Sequence, residues 1–263
     1  MSYAIDTHCH LDFIPRRMQA AVIKRALSAN IKKIITVACN LEQVGKCLPL
    51  TDEHDFIWTT AGIHPTDLGD NIERDLEQVY EYAKNEKKIV GIGEIGLDYY
   101  HDRFPHADQI AYLIGQLNIA RQLKKPAILH CRAGKFAGEN SRVFPDMLKA
   151  LKETKCVNGV MHCFSGSYEE AFKFLDLGLM ISFTGIITYD RNEELRRIIK
   201  DMPANRLMIE TDAPFLPPKK YKGKKNEPAF VMEVAKTIAE VRKMKVDEVL
   251  EVTTKNAERF FRI

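Results

Sequence analysis

Eight short runs of apolar, largely β-branched residues recur along this chain, at intervals of roughly 25 to 40 residues. They are YAIDTH, KKIITVAC, FIWTTAGIH, KIVGIGEIGLD, KPAILHC, NGVMHCF, LMISFTG and RLMIETD. Segments with helical spacing and charged faces separate them, at residues 15–29, 73–87, 107–124, 142–153, 168–177 and 191–201. Two closing helices are predicted at residues 228–242 and 245–261.

This alternation constrains the fold more than any other feature of the sequence. Strands that alternate with helices pair in parallel, and eight repeats within 263 residues are the count of a closed (β/α)8 barrel. An open, doubly wound sheet is the alternative. No linker rich in Pro, Gly or Ser interrupts the pattern, so we predict one α/β domain over residues 1–263, as a monomer or weak oligomer.

Composition limits the classes of partner. The chain has no run of 18 apolar residues and no basic start followed by an apolar stretch, so we expect a cytoplasmic protein without a membrane partner. Its net charge of +3 is too small to indicate nucleic acid by itself. The six cysteines form no CxxC pair, which favours reduced thiols.

Polar residues that can bind metal end most of the apolar runs. Of the eight histidines, five lie at these ends, and two carboxylates join them; the set is His8, His10, His64, Glu94, His130, His162 and Asp212. Parallel barrels build their active sites at the carboxyl ends of the strands. Each residue alone also fits a structural role, as a helix cap or a hydrogen-bonded core histidine, but together they predict a metal site.

The donor types indicate which metals the site would take. Imidazole nitrogen and carboxylate oxygen suit Zn²⁺, Mn²⁺ or Mg²⁺. Six ligands (His8, His10, Glu94, His130, His162 and Asp212) exceed what one zinc ion needs, and a carboxylate can bridge two ions through its two oxygens. We therefore predict two divalent ions, with Glu94 as the bridge and Asp212 holding one ion and a water.

Cysteines follow three of the histidines, in HCH, HCR and HCF. Because neighbouring residues of a strand point to opposite faces, Cys9, Cys131 and Cys163 are expected to face the helix layer and not the metals.

The rim of the predicted site is rich in groups that bind phosphate. Candidate contacts are His64, Arg132, Lys135, Ser165, Lys222, Lys225 and Asn226. The segment PKKYKGKKNEP holds five lysines in seven residues, at 219, 220, 222, 224 and 225, directly after the last metal-bearing run. A charge run is often only a solvated loop, but here it borders the active face. Tyr99, Tyr100 and Phe164 are further candidates, for stacking on bases.

Seven motifs in order, DTHCHL, GIHP, GEIGLDYY, HCR, HCFSGS, ETDAPFLPP and NEP, resemble the TatD family of metal-dependent deoxyribonucleases over the whole chain. The resemblance implies an amidohydrolase-like TIM barrel, a divalent metal centre and hydrolysis of DNA phosphodiesters, typically from 3′ to 5′. Some members are linked to DNA repair or to removal of D-amino acids from tRNA.

By position, the resemblance assigns two metal sites that share one residue. His8, His10, Glu94 and Asp212 match one site, and Glu94, His130 and His162 match the other; His64 matches a histidine near the substrate. Two departures alter the rim: Lys225 stands where an Arg usually precedes NEP, and Ala133 and Gly134 replace the acidic residue and Ala that commonly follow Arg132. A lysine lacks the bidentate grip of a guanidinium, which loosens phosphate contact there.

The expected reaction is two-metal hydrolysis of DNA. The ions lower the pKa of a bound water, Asp212 takes its proton, and the hydroxide attacks phosphorus in line, while His64, Arg132 and the lysines hold phosphate oxygens. Glu94, Asp212 and His64 are thus the expected catalytic residues. Rival hypotheses are a D-aminoacyl-tRNA deacylase, a small-molecule amidohydrolase, and a nucleic-acid-binding protein without catalysis.

Overall fold

The computed structural model describes residues 2–135 and 142–263. Eight strands alternate with helices along the chain: β1 Ala4–Cys9, β2 Ile31–Thr36, β3 Ile57–Ala61, β4 Ile89–Asp98, β5 Ala127–Arg132, β6 Gly159–Met161, β7 Met180–Phe183 and β8 Leu207–Ile209. The α-helices of the described ranges are α1 Arg16–Ser28, α2 Leu41–Glu53, α3 Ile72–Asn85, α4 His106–Leu123, α5 Val143–Thr154, α6 Tyr168–Asp176, α7 Glu193–Asp201, α8 Val231–Arg242 and α9 Val246–Phe261.

The strands form one parallel sheet in sequence order, from β1 to β8. The sheet returns on itself where Cys9 forms a parallel bridge with Ala213, just after β8. Two hydrogen bonds support this seam: the His10 amide donates to the Ala213 carbonyl at 2.7 Å, and the Asp212 amide donates to the His8 carbonyl at 2.8 Å. The predicted (β/α)8 barrel is confirmed, and the open doubly wound sheet is excluded.

The barrel encloses its own small core. Seven of the eight strands each contribute one apolar side chain to a cluster that also contains Phe260 and Phe261 of α9; the seven are Ile5, Ile35, Val90, Ile128, Val160, Met180 and Met208. Residues from so many sides of a closed sheet can meet only inside it. A larger cluster fills the space between the sheet and the surrounding helices. Rigid packing on both surfaces fixes the strand ends where the polar residues lie.

All eight predicted strands are present, but one helix was not predicted. α2 contains Gly45 and Pro49, which both disfavour a helix interior. Its amino terminus is capped by Asn40, whose side chain accepts a hydrogen bond from the Gln43 amide, and Val44, Cys47 and Leu50 are buried against the barrel. Tertiary packing therefore outweighs the weak local propensity.

Candidate metal centre

His8 and His10 lie at the carboxyl end of β1, and both are buried. Their Nε2 atoms are 3.3 Å apart, so the two rings converge on one point. Nδ1 of His10 is 2.8 Å from the Val37 carbonyl, which places the ring proton on Nδ1 and leaves the lone pair of Nε2 facing the site. Nδ1 of His8 is buried without a hydrogen-bond partner in the described part of the chain.

Glu94 lies within β4, not at its end. The strand continues four residues further, to Asp98, so the expectation that Glu94 ends its run was wrong. The pairing register of β4 with β5 shifts between Ile92 and Ile95, and this irregularity lets Glu94 project into the site from mid-strand. Its amide donates to the Ala38 carbonyl at 2.9 Å, which ties this point to the end of β2.

His130 in β5 and His162 after β6 approach Glu94 from the opposite side. Nδ1 of His130 lies 2.9 Å and Nε2 of His162 lies 2.8 Å from Glu94 Oε1. The far nitrogen of His130, Nε2, is 3.0 Å from Asp98 Oδ2. Nδ1 of His162 is 3.4 Å from Glu210 Oε1. Each carboxylate favours the proton on the outer nitrogen, so the inner nitrogen presents its lone pair.

His64, after β3, has the opposite tautomer. The backbone N–H of Thr66 donates to its Nδ1 at 3.2 Å, so the proton of the neutral ring lies on Nε2. Burial and the neighbouring His130 lower the pKa of His64 to about 3, which keeps the ring neutral near pH 7. Nε2 is 3.5 Å from Glu94 Oε1. His64 is therefore set to donate a hydrogen bond into the site and not to bind metal.

Asp212 completes the side of the site on which His8 and His10 lie. It follows β8 in a left-handed backbone conformation, with φ of 58°, which Asp tolerates better than most residues. Its Oδ1 lies 3.7 Å from Nε2 of His8 and 3.3 Å from Nε2 of His10. Its side chain keeps 13% exposure, more than Glu94 at 4%. Asp212 thus borders the space through which a substrate or water reaches the site.

The two oxygens of Glu94 face different groups. Oε2 is 3.4 Å from Nε2 of His8 and 3.7 Å from Nε2 of His10. Oε1 faces His130 and His162 instead. This arrangement brings the six predicted metal ligands together as two sets that share one carboxylate, and the donor chemistry fits divalent cations.

The electrostatics of the site call for compensating positive charge, which a bound cation or protonated His10 and His162 can supply. Burial opposes a charge on Glu94, yet the imidazoles of His162 and His64 hold its pKa well below its usual value. Burial likewise opposes the charge of Asp212, but His10 lowers its pKa. Both carboxyls are therefore ionised at neutral pH in a buried place, where opposite charge has to compensate them.

Three residues of the site were not predicted. Asp98 and Glu210 are buried behind His130 and His162, as described above. Cys39 follows β2, and its Sγ lies 3.7 Å from Glu94 Oε2 and 3.8 Å from Nδ1 of His10. A signal for Cys39 was present, because it ends the second apolar run just as the histidines end theirs. Asp98 ends the fourth run in the same way.

The cysteines that follow histidines lie elsewhere. Cys9 is fully buried, with its sulfur 3.6 Å from the Ile35 carbonyl. Cys131 packs against the core between sheet and helices, and the Cys163 sulfur lies 3.5 Å from the Thr184 hydroxyl. Within the described ranges, the groups of side chains close enough to share a metal ion do not include these three.

The predicted rim residues differ in their exposure. Arg132, Lys135 and Ser165 are exposed. The Arg132 guanidinium lies 3.9 Å and the Lys135 ammonium 5.0 Å from the centroid of the Tyr100 ring, so both make cation–π contacts with it. Asn226 is 2% exposed, and its amide nitrogen donates to the backbone carbonyls of Thr211 and Phe215. Asn226 therefore holds the loop after β8 in shape.

Two of the three predicted stacking aromatics are in the interior. Phe164 is 2% exposed. The Tyr99 hydroxyl donates to Asp146, and its ring stacks on His106. Neither can stack on a base, because the core already covers them.

Two exposed aromatics lie beside the site and were not singled out from the sequence. Phe13 and Phe215 are 44% and 48% exposed, and their centroids are 5.7 Å apart. Each packs edge-on against the ring of His10.

The lysines after β8 fall into two classes. Lys219 pairs with Asp190 at 2.6 Å, and Lys220 pairs with Glu233 at 3.2 Å. The other three, Lys222, Lys224 and Lys225, are exposed and have no ion-pair partner among the residues that the structure describes. The positive charge available to a ligand is therefore smaller than the lysine count indicates.

No helix within residues 2–135 and 142–263 combines the length and apolar character needed to cross a membrane.

Comparison with known proteins assigns the chain to a family. The family model described as TatD related DNase matches residues 5–262. The chain is 36% identical over 261 residues to the uncharacterised metal-dependent hydrolase YabD from Bacillus subtilis, covering 98% of each protein. It is 35% identical over 251 residues to the 3′-5′ ssDNA/RNA exonuclease TatD from Edwardsiella piscicida, covering 92% of each.

A solved structure agrees with the fold over nearly its whole length. The crystal structure of YjjV, a TatD homologue from Escherichia coli K12, superposes with a TM-score of 0.90 at 32% identity, covering 99% of this chain and 98% of that one. The chain belongs to the TatD related DNase family and is one of its metal-dependent hydrolases.

Proposed function

We propose that this chain is a divalent-metal-dependent deoxyribonuclease that removes nucleotides from the 3′ end of DNA. The observation that carries the proposal is the position of Glu94, whose two oxygens face separate histidine groups. A relative that is 35% identical carries the name of a 3′-5′ ssDNA/RNA exonuclease, which supports the choice of substrate.

The residues that would hold the ions fall into two sets. His8, His10, Asp212 and Glu94 Oε2 form one set, and His130, His162 and Glu94 Oε1 form the other. Divalent ions bound there would lower the pKa of a bound water and polarise a phosphoryl oxygen.

The chain supplies the proton acceptor and a hydrogen-bond donor. Asp212 is ionised and partly exposed, so it can accept the proton of the attacking water. His64 presents an N–H into the same space, where it can donate to a phosphoryl oxygen as negative charge develops there.

Groups at the rim would bind the rest of the strand. Lys222, Lys224 and Lys225 offer unpaired positive charge for backbone phosphates. Phe13 and Phe215 are exposed next to His10, so bases can stack on them without sequence preference.

Digestion of end-labelled oligonucleotides tests the proposal. Single-stranded and duplex DNA carrying a label at the 3′ or the 5′ end would be incubated with added Mg²⁺ or Mn²⁺. We expect the 3′ label to be released first as mononucleotide, and both chelator and Asp212→Asn to stop the release. If the chain left DNA intact but hydrolysed D-aminoacyl-tRNA or a p-nitrophenyl ester, the nuclease assignment would be overturned in favour of another metal-dependent hydrolase.

A further inference from the structure

A second concave surface lies at the opposite end of the barrel from the metal centre. Two cavities, of about 450 and 400 Å³, share the wall formed by Val157, Asn158, Arg259 and Phe260. Their lining residues come from the ends of α4, α5 and α9 and from the segments that lead into β5 to β8. We call this surface the basic groove.

The basic groove is strongly positive. Seven of its lining residues are cationic, and no Asp or Glu is among the lining residues that the structure describes; the seven are Arg121, Lys124, Lys125, Lys155, Arg206, Arg259 and Arg262. Three of them, Lys125, Arg206 and Arg259, donate hydrogen bonds to backbone carbonyls. The other four are exposed and form no ion pair within the described ranges. A chain with a net charge of only +3 therefore concentrates cations on this face.

Three of those four cations occupy backbone positions that favour glycine. Lys124, Lys155 and Arg262 end α4, α5 and α9 with φ of 55°, 54° and 57°. Gly adopts this left-handed conformation without strain and is the usual residue at such helix ends. A cation near the carboxyl end of a helix also gains from the helix dipole, which is the structural alternative. Arg121 lies in the last turn of α4, so the dipole favours it as well, and it faces the same groove.

We propose that the basic groove binds the phosphodiester backbone of single-stranded nucleic acid, as a second contact away from the metal centre. The four unpaired cations line one of the two cavities, and Arg206 and Arg259 extend the positive surface into the adjoining one, which suits a chain of phosphates better than one small anion. The choice of this polyanion rests on the proposed nuclease function. A strand held at both surfaces would return to the metal centre at high effective concentration after each cleavage.

Glycine substitution tests the groove without endangering the fold. The groove variant combines Lys124→Gly, Lys155→Gly, Arg262→Gly and Arg121→Gln. The three glycines suit the left-handed conformation, so the variant should fold. The control variant combines Lys243→Gly, another left-handed helix end with φ of 54°, with Lys24→Gln, Lys149→Gln and Lys173→Gln. Both variants lose four positive charges, and no control position lines the groove.

The measurement is anisotropy of a labelled 30-nucleotide dT strand over a series of salt concentrations, with both variants in an Asp212→Asn background. Each phosphate that a variant no longer binds should flatten the slope of log affinity against log salt by roughly 0.7. We expect a flatter slope and weaker binding in the groove variant and little change in the control. Without Asp212→Asn, cleavage of a dinucleotide should be equal in both.

Three results would overturn the inference, and a fourth separates it from the proposed nuclease function. An unchanged slope with an altered melting temperature would mean that the cations serve only the helix ends. Equal losses of affinity in both variants would mean that dT binding depends only on the net charge of the protein and not on the groove. Groove-dependent binding of tripolyphosphate or of phosphatidylserine vesicles, but not of dT, would identify another anion as the ligand. Groove-dependent binding of dT by a chain that cleaves no DNA would support the groove and contradict the proposed nuclease.

Discussion

At the scale of single residues, Glu94 is the centre of the site. Its carboxylate lies within 3.7 Å of a ring nitrogen of every strand-end histidine: His8, His10, His64, His130 and His162. Four of those rings present a nitrogen that can bind metal, and His64 presents an N–H. For His10, His64 and His130, the hydrogen-bond partner of the outer nitrogen sets the tautomer and thereby decides which group faces Glu94.

Substitution of Asp98 tests whether the carboxylate behind His130 prepares that ring to bind metal. Asp98→Asn keeps the size of the side chain but removes the charge that holds the proton on Nε2 of His130. We expect metal affinity to fall by about 10-fold to 100-fold, as for other carboxylates behind a ligating histidine. Titration calorimetry with Zn²⁺ or Mn²⁺ measures this, with circular dichroism to check the fold.

Asp146→Asn is the matched control for that change, because Asp146 accepts a hydrogen bond from Tyr99 and does not contact a predicted ligand. Equal metal affinity in Asp98→Asn and the unmodified chain would show that Asp98 does not position His130.

The residues that converge on the site were predictable from the sequence, and the residues behind them were less so. A candidate ligand at the end of an apolar run is chemically distinctive, as His130 and His162 are. Glu210 looks like any acidic residue until the fold places it 3.4 Å from His162. Phe13 and Phe215 are 202 positions apart, so only the fold brings their rings together beside His10.

At the scale of elements, the loop after β8 combines structural and ligand-binding roles. Asn226 fixes its backbone, while Lys219 and Lys220 are bound to acidic side chains. Exposed ion pairs contribute little to stability. The acidic partner nevertheless neutralises the lysine charge that would otherwise attract a phosphate.

Neutralisation of the loop should therefore have unequal effects. Replacing Lys222, Lys224 and Lys225 by Gln should flatten the salt dependence of oligonucleotide binding by roughly 0.7 for each phosphate that is no longer bound. Replacing Lys219 and Lys220 by Gln should change it less for each charge removed. Filter binding in an Asp212→Asn background measures both. The same effect per lysine in the two variants would contradict the division of the loop into paired and available lysines.

Elements were predicted best where the apolar pattern was regular. All eight strands match, because parallel barrel strands are continuous apolar runs. α2 was missed because its stability comes from buried Val44, Cys47 and Leu50 and not from its local sequence. The position of Glu94 within β4 was missed because a shift of pairing register leaves no mark in the apolar pattern.

At the scale of the whole molecule, the barrel separates two faces with different chemistry. The carboxyl ends of the strands carry the buried histidines and carboxylates, and the opposite end carries the cations of the basic groove. The apolar cluster inside the barrel lies between these faces and fixes their distance. Stability is thus supplied by the core, so residues of the metal centre can be changed with little loss of fold.

We propose that one chain holds two divalent ions that share Glu94, and native mass spectrometry after reconstitution with Mn²⁺ or Zn²⁺ counts these ions. The unmodified chain should carry two ions, and a folded Glu94→Ala variant should lose the pair, because each set of histidines then lacks its shared carboxylate oxygen. One ion in the unmodified chain, or two ions held with undiminished affinity by Glu94→Ala, would show that Glu94 does not join two metal sites.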